Sequence, residues 1–165
     1  MRASITAILV IRQGGEHLTE SLRALTTLTR PISRLFLVDS SADSTLGPQI
    51  DTALEGAGFS WNICSVPYSA RFAEAIEEGM ASAFGEATSI PNSEWVWLLR
   101  DDSTPGYSAL ERLAGVVDSA PLVKIAGPKQ RMRDQPGVIR EMGETMTRFG
   151  ERMALAERER DQAQY

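Results

Sequence analysis

The sequence predicts a three-layer α/β/α fold built on a mainly parallel, Rossmann-like sheet. Three observations lead there. Strand-like and helix-like stretches alternate four times along the chain. The strand-like stretches TAILVI, RLFLV and WVWLL are nearly continuous apolar runs, which marks strands covered on both faces rather than half-exposed ones. Each run then breaks abruptly into polar, turn-forming residues. With right-handed crossovers, those polar ends gather along one edge of the sheet, where open α/β sheets bind ligands.

Taken in order, Thr6–Ile11 is the first buried strand and Arg12-Gln13-Gly14-Gly15 the turn that ends it. Leu18, Leu22, Leu25 and Leu28 repeat at helical spacing, and Pro31 stops that helix. Arg34–Val38 is the second strand, closed by Asp39-Ser40-Ser41-Ala42-Asp43. Leu46, Ile50, Leu54 and Ala57 form the second helical stripe, ended by Gly56 and Gly58. Trp61–Val66 is the third strand. Phe72, Ala73, Ile76, Met80, Ala83 and Phe84 mark the third helix. A loop through Pro91 leads to Trp95–Leu99. There Trp95, Trp97 and Leu99 face one side and Val96 and Leu98 the other, as in a central strand. Thr104 and Pro105 then read as N-cap and first residue of the fourth helix, whose stripe is Leu110, Leu113, Ala114 and Val117. Leu122–Ala126 is expected as a fifth strand. Beyond Pro136 the pattern weakens. Val138–Met153 reads as a hairpin of short strands turning near Gly143 in preference to a poor helix broken by Gly143 and Gly150, and Ala154–Tyr165 as a solvated helix or frayed tail.

A chain of 165 residues suits one domain with a real core, and a net charge of −5 with interspersed signs carries no nucleic-acid footprint. The single Cys64 excludes an internal disulfide and reads as a buried, inert thiol; the single His17 excludes a multi-histidine metal site. No apolar run is long enough to span a bilayer and no signal peptide is evident. The expectation is a soluble, cytoplasmic protein whose membrane association, if any, comes through parts of a longer parent; oligomeric state is not legible.

The chemistry-bearing positions cluster at the strand ends. Asp101 and Asp102 are hard-oxygen donors suited to Mg²⁺ or Mn²⁺, which would in turn hold a diphosphate; an Asp pair there can equally cap a helix or sit solvated in a turn. Asp39 can accept hydrogen bonds from a nucleobase or ribose, or simply close an Asx turn. Asp43 reads best as a cap for the second helix. Arg12 can stack on or bond a base, Arg71 and Lys129 can neutralise phosphate, and each can equally be a surface cation. Gly14-Gly15 is a weak phosphate-loop signal, because neither GxGxxG nor GxxxxGK[ST] is present.

TAILVIRQGGEHLTESLRAL, RLFLVDSSADST, FAEAIEEGM, WVWLLRDDSTP and VKIAGPK, in that order, resemble the nucleotide-binding half of a family 2 glycosyltransferase of GT-A fold, in particular its actinobacterial members. The resemblance covers about residues 4–130. It implies a nucleotide-sugar-binding α/β domain over 1–130, with 131–165 an irregular extension leading to a missing acceptor-side region. It also implies transfer of a sugar from a donor such as a UDP- or dTDP-sugar to a glycan or glycolipid acceptor, in cell-wall or polysaccharide biosynthesis. Asp39 falls on the family's turn aspartate, assigned to base or ribose. Asp102 falls on the metal-binding aspartate of the Asp-x-Asp motif, and Asp101 on the middle position that can reach ribose. The resemblance departs at Arg100, which stands where the family has its first aspartate: a cation there either meets phosphate directly and weakens metal dependence, or points away. It departs again at Ser69-Ala70-Arg71, where many relatives carry Asn-x-Gly. Glu141, Glu144 and Glu151 offer carboxylates, but nothing in the sequence places them as the catalytic base, so the chain is expected to be the N-terminal piece of a longer enzyme. The chief alternative is a non-catalytic binding or assembly module of the same fold. A phosphate-accepting receiver domain would need its acid pair after the first strand, where Arg12-Gln13 stands.

Overall fold

A computed structural model describes residues 4–41, 45–85, 94–120 and 122–163. The chain divides into two compact units, Met1–Glu111 and Arg112–Tyr165.

The first unit holds four parallel strands, β1 (Ser4–Ile11), β2 (Arg34–Asp39), β3 (Ser60–Ser65) and β4 (Glu94–Arg100), in the order β3-β2-β1-β4. The connecting helices are α1 (Glu16–Thr26), α2 (Leu46–Ala53) and α3 (Phe72–Phe84); α4 (Ala109–Ser119) follows β4, beginning in the first unit and continuing into the second. β1 and β2 are the buried centre, as their unbroken apolar runs require: Ala7 through Ile11 and Leu35, Leu37 and Val38 are nearly or fully inaccessible. The buried face of α1 is Leu18, Ser21, Leu22 and Leu25. Leu28 lies beyond the helix end but is buried all the same.

α3 lies on one face of β1 and β2, packing Ala75, Ile76 and Met80 against Ile8, Val10, Phe36 and Val38. Its approach depends on Gly79. A Cβ there would sit 2.6 Å from Ile8 Cγ2 and 2.9 Å from Val38 Cγ2, far inside van der Waals contact. The opposite, amino-terminal end of the sheet is closed by polar groups. Thr6 and Glu94 share a hydrogen bond, Arg34 Nη2 donates to Thr6 Oγ1 at 3.0 Å, and the Arg34 guanidinium lies over the rings of Phe36 and Phe84.

Several expectations are corrected. β4 is not a central strand: it pairs with β1 alone among the described strands, so Leu98 is 47% exposed and both tryptophans are only half-buried. The fourth helix does not start at Thr104-Pro105 but at Ala109. Ser21 of α1 draws the Ser103 carbonyl and Thr104 hydroxyl toward itself, so this stretch runs as a loop. Leu122–Ala126 forms no strand, and Leu122 and Ile125 are 93% and 91% exposed. Strand composition alone does not make a strand when no neighbour supplies the ladder.

The second unit contains an antiparallel sheet of β5 (Gln130–Arg131), β6 (Val138–Met146) and β7 (Arg152–Arg160), in that order. Its hairpin turns over residues 147–151, not at Gly143. Gly143 stays inside β6 at φ +63°, with Leu155 Cδ1 3.1 Å from where its Cβ would be. The expected helix or frayed tail after Ala154 is instead β7 as far as Arg160, with Ala156 buried opposite Met142. Two cations anchor its end: Lys129 Nζ and Arg131 Nη2 each lie 2.7 Å from an Asp161 carboxylate oxygen.

Candidate functional site

The register sets Ile11, Asp39 and Ser65 side by side, and Val10 beside Arg100. The carboxyl ends of all four strands therefore share one edge. The chain crosses from β3 on one flank of β1 to β4 on the other, so the switch point lies between β1 and β4, where a crevice opens in such sheets.

Asp101 is the first residue past β4, and its backbone N–H extends the ladder to the Val10 carbonyl at 3.1 Å. It is 4% exposed. Its Oδ2 accepts the backbone N–H groups of Arg12 at 2.8 Å and Gln13 at 2.7 Å. The carboxylate thus holds the turn after β1, a duty that leaves it little surface to offer a ligand. Ser21 Oγ reaches the carbonyls of Asp101 and Ser103, at 3.2 Å each. Sequence reasoning missed Ser21; the available signal was a lone polar residue on the leucine stripe of α1.

Asp39 ends β2 half-buried. Its Oδ1 accepts the Ser41 N–H at 2.8 Å, which is the Asx turn, and its carbonyl accepts Val66 N–H at 2.9 Å. Oδ2 carries no bond among the described residues. Asp43 lies outside the described residues. Gly15 takes φ +91°, a conformation open to glycine, and Gln49 of α2 bonds both its N–H and its carbonyl. That backbone is held by the protein rather than left for phosphate.

Arg12 Nη1 donates to the carbonyls of Ala70 (2.8 Å) and Tyr68 (3.2 Å), and the guanidinium lies 5.1 Å from the Tyr68 ring centroid. Arg71 is the N-cap of α3. Its backbone N–H donates to Glu74 Oε2 at 2.8 Å and its guanidinium pairs with Glu74 Oε1. The backbone bond first and the guanidinium second hold the Glu74 carboxyl below its ordinary range. Arg100 Nε lies 3.3 Å from Asp102 Oδ1, and its guanidinium is 5.9 Å from the Phe72 ring. The structure thus brings Arg12, Asp39, Arg71, Arg100, Asp101 and Asp102 to one edge. Lys129 belongs to the second unit, where it binds Asp161. Cys64 on β3 has its thiol pushed up by burial and then by the charge of Glu78, which makes it a poor nucleophile.

A divalent ion held as the family resemblance implies would use Asp102 with Asp101 at its side. The residues present do not fit that requirement. Asp101 commits an oxygen to two backbone donors, and Asp102 is already paired with a cation. No group of three or more His, Cys, Asp or Glu gathers into an ion-binding set among the described residues.

No family model matches the chain. No curated protein matches it by sequence. Among solved structures it is similar to S. aureus TarS, at 16% identity over 79% of this chain and 24% of that one, with a TM-score of 0.52. A shorter structure, S. aureus TarS 1–349, matches at 18% identity over 78% of this chain and 39% of that one, with a TM-score of 0.53. The chain spans well under half the length of either. At such identity the likeness speaks for the fold, and the fold is the α/β/α architecture of the GT-A type, with a parallel sheet flanked by helices.

Proposed function

We propose that the chain is the nucleotide-sugar-binding part of a family 2-like glycosyltransferase, which moves a sugar from a nucleoside diphosphate donor to a hydroxyl of a glycan or glycolipid acceptor. The strand order carries this proposal. With β1 and β2 central and β4 beyond the crossover, Asp39, the Arg12 turn and the Arg100–Asp102 pair share one sheet edge, the edge at which open α/β sheets generally bind ligands, and that supports the reading. Asp39 is the donor's ribose or base acceptor, through the oxygen its Asx turn leaves over. The guanidinium groups at the rim face the charge that builds on the departing nucleoside diphosphate. Asp101 acts from behind, fixing the turn that presents Arg12.

Glu141 and Glu144, candidate bases by residue type, are both paired with Arg152 inside their own sheet. These 165 residues are therefore expected to bind donor nucleotide but to transfer little sugar. Calorimetry with UDP, dTDP, GDP, CDP and ADP tests the proposal. One of them should bind, and Asp39→Ala should weaken it by roughly tenfold or more, the worth of a charge-assisted hydrogen bond. Binding of none would refute the reading. It would favour the alternative, an assembly module of the same fold, to which the Arg100–Asp102 pair in place of an acid pair already lends some weight. Robust sugar transfer by the chain alone would refute the division of labour.

A further inference from the structure

The rim of the first unit is unusual in carrying arginines where an ion-binding carboxylate set is expected. Arg12 and Arg100 come from different strand ends, yet both reach the start of α3. Arg12 bonds the Ala70 carbonyl, and Arg100 lies over the ring of Phe72, two residues further on. The N-terminus of this 13-residue helix adds positive potential of its own between them. Arg71, the helix N-cap, sits in the same place, though its guanidinium is engaged by Glu74.

Neither rim guanidinium is saturated. Arg12 uses Nη1 for both of its carbonyl acceptors, and Arg100 uses Nε toward Asp102; their remaining N–H groups make no bond among the described residues. The Arg100–Asp102 contact is long, at 3.3 Å, and its side chains are 57% and 48% exposed. Such a pair is weakly held and readily exchanged for a better anion. The acids, in contrast, are poorly placed for a cation. Asp101 is turned inward onto the Arg12 and Gln13 N–H groups, and any ion at Asp102 would meet the positive charge of Arg100 at close range.

We propose that this chain recognises a diphosphate through Arg100, supported by Arg12 and the start of α3, without a divalent cation. Asp102 serves as the resting partner of Arg100, released when the diphosphate takes its place. The proposal rests on the nucleoside diphosphate reading above and is separable from it.

The experiment is titration calorimetry of the five nucleoside diphosphates in EDTA and, in parallel, in excess Mn²⁺. Binding in EDTA within about threefold of that in Mn²⁺ supports the proposal. Arg100→Ala should then weaken binding by roughly tenfold to a hundredfold, the loss of a charge-assisted bidentate contact. Arg100→Asp, which rebuilds an acid pair, should abolish binding in EDTA and regain part of it with Mn²⁺. Arg100 is exposed, so circular dichroism should show both variants folded. Binding by the wild type only in Mn²⁺ overturns the proposal and leaves the nucleotide reading intact, as does undiminished binding by a folded Arg100→Ala. Absence of binding in both conditions overturns the nucleotide reading and this proposal with it.

Discussion

Replacing Asp101 by alanine separates a structural carboxylate from one kept for a ligand. Its Oδ2 accepts two backbone N–H groups, at 2.8 and 2.7 Å, in a site 4% exposed. A hydrogen bond to a charged group is worth about 1.5–3 kcal/mol. Two of them at the lower end of that range give a loss of about 3 kcal/mol, since water can reach the freed N–H groups of the turn. That is a large share of the roughly 5–15 kcal/mol that holds a domain together. Asn keeps an oxygen acceptor of the same shape without the charge, and should cost about half as much. Urea unfolding followed by tryptophan fluorescence suits the measurement, because Trp95 and Trp97 lie half-buried on β4, the strand that Asp101 follows. With a slope of about 1–3 kcal/mol per molar, the midpoint for Asp101→Ala should fall by roughly 1–3 M. A carboxylate reserved for ligand would leave it within about 0.3 M of wild type, and that result would refute the structural role.

Gly79→Ala should destabilise by about 1–3 kcal/mol through overpacking against Ile8 and Val38, despite alanine's better helix propensity. Gly115→Ala in α4, with no atom within 4 Å of the added Cβ, should instead stabilise by about 0.5–1 kcal/mol; thermal melts compare the two. Asp161 has its carboxyl held below the usual range, first by the hydrogen bond from Lys129 and then by the Ala163 N–H. Its contribution is therefore present above the unfolded-state value of about 4 and lost as pH falls through the depressed folded one. The protection factors of the Ile139 and Ala156 amides, which correct for the intrinsic slowing of exchange in acid, should fall on acidification below about pH 4, and Asp161→Asn should flatten that dependence. An unchanged profile in the variant would place the acid sensitivity elsewhere.

Much of the fold was legible because its signals are local. TAILVI and RLFLV are buried whatever surrounds them, and the third helix fell on Phe72–Phe84, bounded by the apolar stripe seen in the sequence. The mainly parallel sheet followed from the alternation of elements. The candidate site was half legible: proximity to strand ends named Arg12, Asp39, Asp101 and Asp102, but not what each would touch. Leu122–Ala126 has a strand's composition and no ladder; β4 has a central strand's composition and an edge position; Ser21 gives no local sign of its partner, yet ties α1 to the loop after β4.

The residue order by itself determined which stretches are apolar, where their periodicity changes, and where charge interrupts them. Tertiary structure alone decided that Asp101 turns inward onto two backbone donors while Asp102 turns outward onto Arg100. The physical reason is that a side chain's preference for burial or charge is carried in its own chemistry, whereas the partner that satisfies it comes from a segment far along the chain: 89 residues away for the bond between Arg12 and Asp101.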